Sequence, residues 1–392
     1  MGNAKARLLL EGQRDVWKQI DMQLVHGEQR IWIHCASTGE FEQGRPLIEA
    51  LREKYPQYKL VATFFSPSGY ELRKNSASTD YVFYLPYDTR RNAKRFIALV
   101  QPVKAYFIKY EFWRNYLLEI HRRRIPLYLV SANFRGGQIF FKRYGSPYKQ
   151  LLRYFTWFFV QNERSRNLLV HTGFNNVTVT GDTRFDRVCR IAEQGQPLPV
   201  VERFAAGKKC VVAGSTWQPD VDMLLRYLHN GKHSLKWIIA PHELHESQIE
   251  QLITEANKKD LRAIRYSQTT GKNPSDYDVL VIDNIGMLSL LYRYGTIAYI
   301  GGGFGKGIHN ILEAAVYGLP VFFGPAYGKF QEAIDLVACG GAFPIHDYAE
   351  FARKIDELLD NEEQLLRACE TAKTFVASGR GATAKVIDGS MQ

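Results

Sequence analysis

The 392-residue sequence has only five cysteines, Cys35, Cys189, Cys210, Cys339 and Cys369, and none forms a CxxC pair or joins a histidine at zinc-ligand spacing. That pattern suits a reducing compartment and argues against a disulfide framework or a structural metal. No window holds the roughly 18 apolar residues that a membrane span needs, and MGNAKARLLLEGQR lacks the apolar h-region of a signal peptide. As given, the chain is expected to be soluble. Low-complexity tracts and fixed-period repeats are also missing. With 45% hydrophobic and 23% charged residues, the composition is globular, and the length exceeds one ordinary core, so two domains are expected.

What is present is charge, unevenly placed. Residues 1–190 carry 31 Lys and Arg against 16 Asp and Glu, whereas residues 191–392 carry 20 against 24, so the net +11 belongs to the first half. A basic half-molecule implies an anionic partner: nucleic acid, a phospholipid surface or a phosphorylated substrate. A solvated basic face is the bland alternative.

Residues 1–27 read as a helix. From residue 31, β-rich runs alternate with helical patterns: IWIHCAS, KLVATFF, YVFYLP, KAYFIK, PLYLVSA, WFFVQ and VTVTG, then KKCVVAG, LKWIIAP, LRAIRY, VLVID, TIAYIGG and PVFFG. Strands alternating with helices predict right-handed βαβ crossovers and parallel sheets. The fold class is therefore α/β, two doubly wound, Rossmann-like domains facing a cleft. The pattern lapses between Asp186 and Gly207, which divides the chain into an N-terminal domain 1–190, a linker 191–207 and a C-terminal domain 208–392.

The stretch IWIHCASTGEFEQGRP, Ile31 to Pro46, reads as strand, tight turn, lone acid Glu40, and a helix starting at Pro46, since proline suits the first helical turn. Glu40 is then a loop residue beyond the carboxyl end of a strand, where open α/β sheets bind ligands. KYEFWRN puts Glu111 at the same edge. Two carboxylates in one cleft can be driven to different pKa values by repulsion and burial. Pairing of Glu111 with Lys109 or Arg114 is the alternative.

In the second half, Tyr299–Pro325 packs Gly301, Gly302, Gly303, Gly305 and Gly307 between a strand and a predicted helix over 309–317. Such a loop lets backbone N–H groups approach a phosphate at a helix N-terminus, with Lys306 adding charge. His309, Asn310 and Glu313 fall in the first turns, 309 and 313 on one face, and Glu313 could accept ribose hydroxyls. A tight strand-to-helix turn is the alternative; neither a dinucleotide fingerprint nor a Walker loop is present. Ser215, Thr216 and His242 end strands at the same edge, where they can bind phosphate or cap helices. The pairs Asp220/Asp222 and Asp276/Asp278 read as caps and solvated acids rather than metal ligands. Residues 134–159 interleave ten aromatics with basic residues, fit to stack on bases, meet a membrane interface or line a channel for an anionic amphiphile, and in part to enter the core.

The ordered blocks HCASTGEFEQGRPLI, TFFSPSGYE, LPYDT, YEFWRN, SAN, QN, TGDTRFDRV, GSTW, APHE and IGGGFGKGIHNILEAAVYGLPVFFGP resemble the 3-deoxy-D-manno-octulosonic acid (Kdo) transferases of Gram-negative lipopolysaccharide synthesis, which are GT-B glycosyltransferases. The resemblance implies transfer of Kdo from CMP-Kdo to a phosphorylated lipid A precursor (lipid IVA), with inversion and without metal or other cofactor. It implies Glu40 as the catalytic carboxylate and Glu111 as a second acid. The donor set is Ser215, Thr216, His242, Gly301, Gly302, Gly303, Gly305, Lys306, His309, Asn310 and Glu313. The candidates for the acceptor's anionic groups are Arg45, Arg135, Lys142 and Arg143. The implied partners are CMP-Kdo, the anionic lipid and the cytoplasmic face of the inner membrane, bound peripherally, and not nucleic acid. Lys109 and Arg114 depart from the family pattern, where many relatives have an acid and a proline. Relatives also begin with an apolar anchor ahead of this chain's first residue. Another GT-B transferase or epimerase using a UDP-sugar, a nucleic-acid-binding module and a membrane scaffold remain as rival readings.

Overall fold

The computed structural model describes residues 4–391. It comprises two compact units, the first running to Arg187 and regaining the chain from Gly379 onward, the second spanning Val188–Ser378.

The first unit is built on seven parallel strands: β1 (Arg30–His34), β2 (Lys59–Phe64), β3 (Tyr81–Tyr84), β4 (Pro102–Ile108), β5 (Leu127–Ala132), β6 (Trp157–Val160) and β7 (Val177–Val179). Their order is β3-β2-β1-β4-β5-β6-β7. The second unit repeats the plan with β8 (Cys210–Thr216), β9 (Lys236–Pro241), β10 (Ala263–Arg265), β11 (Val279–Val281), β12 (Ile297–Ile300), β13 (Val321–Phe323) and β14 (Ala342–Pro344), in the order β10-β11-β9-β8-β12-β13-β14. In each sheet the first strand, β1 or β8, stands where the order reverses. Open α/β sheets leave a ligand crevice at that switch point.

Every residue of β1 is buried, as expected of a parallel strand covered by helices on both faces. Thirteen of these strands coincide with β-rich runs in the sequence; β14 was missed because three residues between Gly341 and Ile345 are too few for a period. The helix expected over residues 1–27 spans Ala4–Gln23, its first three expected residues lying outside the described residues. Val16 and Ile20 on that helix reach the core.

Two expectations about domain boundaries are corrected. The supposed linker 191–207 is largely helical: Thr183–Gln194 continues past the expected boundary, and Pro199–Ala205 starts with a proline at its first turn, where a missing N–H costs no bond. The C-terminal helix Ala382–Ser390 belongs to the first unit, not to a domain 208–392. It buries Val386 and Ile387 in the first unit's core. Asp186 receives the backbone N–H groups of Gly381 (2.6 Å) and Thr383 (2.7 Å), and Tyr106 OH meets Ser390 Oγ at 2.8 Å. The charge split survives this redrawing: the first unit carries 32 basic against 17 acidic residues, the second 19 against 23. Among the described residues, no helix is long and apolar enough to cross a membrane.

Ile387 is 2% exposed within the first unit. Ile387→Ala should therefore lower that unit's stability by roughly 2–5 kcal/mol in urea unfolding and leave the second unit's transition in place.

Candidate active site

In the first unit the helix after β1 starts at Thr38, not Pro46, and runs to Lys54. Ser37 is the extended N-cap residue, and its backbone N–H donates to Glu40 Oε2 at 2.9 Å, with its hydroxyl 3.1 Å from the same oxygen. Ser37-x-x-Glu40 is thus a capping box, which satisfies a donor that a helix end leaves open. Glu40 is the third residue of this helix, not a loop residue. Pro46 lies inside the helix and has no N–H to offer the carbonyl of Glu42. Gly44 lets the helix approach closely: a Cβ there would stand 3.1 Å from Ile108 Cγ1 and 3.2 Å from Cys35 Sγ. Burial, and then the charge of Glu111, raise the pKa of Glu40; the Ser37 bond and the charges of His34 and Lys109 oppose them.

Glu111 reaches the same edge because the chain turns sharply after β4. Lys109 adopts φ 64°, a left-handed conformation that costs a side-chain-bearing residue roughly 1–2 kcal/mol, and its N–H is tied to Val130 O at 2.9 Å. Glu111 Oε2 accepts from Trp113 Nε1 at 2.6 Å and faces His34 Nε2 at 3.4 Å. The sequence does not single out His34, which ends an apolar strand run, or Trp113, which stands in KYEFWRN beside the more conspicuous Glu111.

Of the basic acceptor candidates, Arg45 is corrected. It lies on the Glu40 helix and is engaged by Glu49 at 2.8 Å and Glu42 at 3.9 Å, in a network that also holds Arg73 and Arg187. Arg135, Lys142 and Arg143 are exposed on the segment after β5, together with Tyr144 (75% exposed) and Tyr148 (49%). Phe134, Phe140, Leu152, Phe155 and Phe158 of the same segment are buried, so its aromatics divide between core and surface.

In the second unit the glycine run is a succession of turns, and the helix after it is only Leu312–Ala315. His309 and Asn310 precede this helix, so the expected 309/313 helical face and the helix-end phosphate site are both corrected. The glycines serve the loop itself. A Cβ on Gly301 would collide with the Ser215 carbonyl, and one on Gly303 would lie 2.5–2.8 Å from the backbone of Gly324. Gly302 and Gly307 have φ of 88° and 146°, which glycine alone adopts freely.

The loop is anchored by Asp220, a residue that the sequence reading left as a solvated cap. Its side chain is 1% exposed and accepts from Trp217 N (2.8 Å), Gly302 N (3.1 Å) and Tyr299 OH (2.6 Å). Beside it opens a cavity of about 510 Å³ lined by Trp217, Phe304, Lys306 and His309, with Gly302 and Gly305. Trp217 stacks on His242 at 4.6 Å, and His242 lies 4.4 Å from the His309 ring. Burial, and then His242, push the His309 pKa down to about 4, so the His309 ring is uncharged at neutral pH. Ser215, Thr216, Gly301 and Gly303 lie outside the lining, Gly301 packed on the backbone of Ser215 and Thr216 and Gly303 on that of Gly324. Asn310 and Glu313 bond to each other (3.0 Å) outside the lining. Trp217 was legible only as the residue closing GSTW. Among the described residues, no group of three or more His, Cys, Asp and Glu side chains could hold a metal ion.

Gly303→Ala should displace the loop and weaken nucleotide binding at least tenfold by calorimetry, because backbone cannot yield as a side chain does. Asp220→Asn, whose amide nitrogen must face either the two backbone N–H groups at Oδ2 or the Tyr299 hydroxyl at Oδ1, should weaken binding in the same direction by a smaller factor.

The family model for the 3-deoxy-D-manno-octulosonic-acid transferases (kdotransferases) matches residues 11–187, ending where the first unit hands over to the second. The 3-deoxy-D-manno-octulosonic acid transferase of Aquifex aeolicus is 27% identical over 341 residues, covering 86% of this chain and 87% of that one. That of Bordetella pertussis is 26% identical over 373 residues, covering 91% and 86%. Among solved structures, the UDP-GlcNAc 2-epimerase of Neisseria meningitidis aligns with a TM-score of 0.65 at 14% identity over 92% of this chain and 99% of that one. A glycosyltransferase from Rickettsia africae aligns with a TM-score of 0.59 at 9% identity over 93% and 98%. These structures share the fold, and the family model and the sequence relatives point the same way: the chain has the GT-B fold, its first unit matches the Kdo transferase model, and over most of its length it is similar to Kdo transferases.

Proposed function

We propose that the protein transfers Kdo from CMP-Kdo to a phosphorylated lipid A precursor, with inversion at the anomeric carbon, at the cytoplasmic face of the inner membrane. The observation that carries this reading is Glu40: a half-buried carboxylate of raised pKa, fixed on a helix end at the sheet's switch point, in a unit that matches the Kdo transferase family. A sugar hydroxyl has a pKa far above neutral, so it needs a base in contact as it attacks. Glu40 takes the proton, the hydroxyl oxygen bonds to the anomeric carbon, and the bond from that carbon to the cytidylate oxygen breaks. Direct displacement of this kind inverts the centre.

The departing cytidylate gains negative charge, and Lys306 on the cavity rim supports its stabilisation. With the helix-end phosphate site withdrawn, that cation and the loop backbone carry this part of the reading. The aromatic rings of Trp217 and His309 on the cavity lining suit stacking against a pyrimidine. The surplus of positive charge on the first unit suits an acceptor with phosphates on a lipid. Exposed Arg135, Lys142, Arg143, Tyr144 and Tyr148 suit an anionic membrane surface, where basic and aromatic side chains sit favourably.

Glu40→Gln is expected to lower kcat by about 10²–10⁴-fold while CMP binding stays near wild type, as read by transfer assay and calorimetry. Residual turnover above about a tenth would remove Glu40 as the base. Because Glu40 must be ionised to act and its pKa is raised, the acid limb of kcat/KM should lie above the usual glutamate value near 4.3. Raising salt should weaken acceptor binding more than donor binding. Preference for UDP over CMP in a competition assay would favour the UDP-sugar reading instead.

A further inference from the structure

Next to Glu40 stands a buried histidine with no task in the scheme above. His34 ends β1 and is fully buried. Its Nδ1 lies 2.9 Å from Thr63 Oγ1 on β2. Its Nε2, also buried, has no hydrogen-bond partner, and the atom in front of it is Glu111 Oε2 at 3.4 Å. The ring is clamped by Phe107 (5.2 Å between centroids) and by the edge of Trp113 (5.9 Å).

The Thr63 hydroxyl decides the tautomer. Trp32 Nε1 can only donate, and it gives its hydrogen to Thr63 Oγ1 at 2.8 Å. The hydroxyl's own hydrogen then goes to His34 Nδ1, which leaves the imidazole's hydrogen on Nε2, pointing at the carboxylate. The opposite tautomer would set a lone pair against Glu111 and strand the threonine hydrogen in the core, at a cost of about 1–3 kcal/mol.

We infer that His34 is a positioning residue: the relay Trp32–Thr63–His34 presents an N–H to Glu111 Oε2 and thereby fixes the Glu111 carboxylate beside Glu40. The inference rests on the reading of Glu40 as the base. Trp113 Nε1 supplies a second N–H to the same oxygen at 2.6 Å, so donors from two segments converge on it and hold the carboxylate in place. A gap of 3.4 Å is long for a hydrogen bond, as catalytic contacts often are before substrate is bound. The titratable and charged groups around Glu40 are Glu111 and Lys109 from the turn after β4, Tyr110 beside them, His34 and Cys35 from the end of β1, and Glu42 on its own helix. Lys109 pulls against Glu111, so the position of Glu111 determines which of the two dominates.

The test uses the full chain. In ¹⁵N-histidine-labelled protein, with His34 assigned by its loss in His34→Gln, the expected signature is the neutral Nε2–H tautomer. An Nδ1–H tautomer overturns the inference, whatever the reaction proves to be. In the transfer assay, His34→Phe, which keeps the ring and loses both nitrogens, should lower kcat about 10- to 100-fold with donor KM nearly unchanged. Without that N–H, Glu111 is free to turn away and repels Glu40 less, so the acid limb set by Glu40 should also move to lower pH. His34→Gln, whose amide can present an N–H near the Nε2 position, should restore most of kcat. Equal losses in the Phe and Gln variants, or none in either, overturn the inference. If His34→Phe does not fold, Thr63→Val carries the same expectation, with recovery in Thr63→Ser; failure of Thr63→Val to lower kcat overturns it. Absence of Kdo transfer by the wild-type chain would overturn the reading of the site and leave the tautomer to decide the role of His34.

Discussion

A backbone N–H at a strand-to-helix turn has no helical partner, and in both units the side chain three residues further on accepts it. Ser37 N–H is bound by Glu40 after β1, and Trp217 N–H by Asp220 after β8. Both acids stand behind the first strand of their sheet, where the strand order reverses. The same requirement has opposite consequences in the two places. Asp220 is enclosed by donors from three segments, Trp217, Tyr299 and Gly302, and serves as a fixed post for the glycine loop. Among the described residues, the hydrogen bonds of Glu40 come from Ser37, and both fall on Oε2. One carboxylate is committed to architecture and the other retains capacity for a proton.

Much of this was legible in the sequence, because alternation of apolar runs and helical patterns survives in any doubly wound chain. The error at Glu40 is instructive. Ser37-x-x-Glu40 is a helix-start signal, but Pro46 is one too, and the two compete in the sequence. A capping box satisfies donors directly, whereas a proline merely tolerates a first turn, so the box is the stronger indication. What the sequence could not disclose is partnership at long range. Gln43 donates to Asp182 at 2.9 Å across 139 residues, and His34 meets Glu111 across the gap between two neighbouring strands.

The glycine run teaches a related lesson. Its density suggested a ligand cradle, yet Gly301, Gly302, Gly303 and Gly307 are each required by a neighbouring backbone or by a positive φ. Gly302, Gly305 and Gly307 do border the cavity, but the side chains that face it are those of Trp217, Phe304, Lys306 and His309. Strain marks the strand ends in its own way. Lys109, Ser131 and Ser215 hold positive φ, and the last two coincide with register shifts in β5 and β8. Bulges of this kind re-aim side chains beside active sites.

The return of the C-terminal helix to the first unit makes the second unit an insertion in its partner's sequence. On a ribosome adding roughly 5–20 residues per second, the first unit waits some 10–40 s between the emergence of Arg187 and that of the helix that completes it. Throughout that interval the seat for Val386 and Ile387 is open, and the side chains of Tyr106 and Tyr128 lack their Ser390 partner. The second unit, by contrast, is contiguous and can close as soon as Ser378 is made. The nascent chain therefore carries an unfinished apolar groove for as long as its second half is being synthesised, and it is in this window, rather than in the finished enzyme, that the fold is most exposed to aggregation.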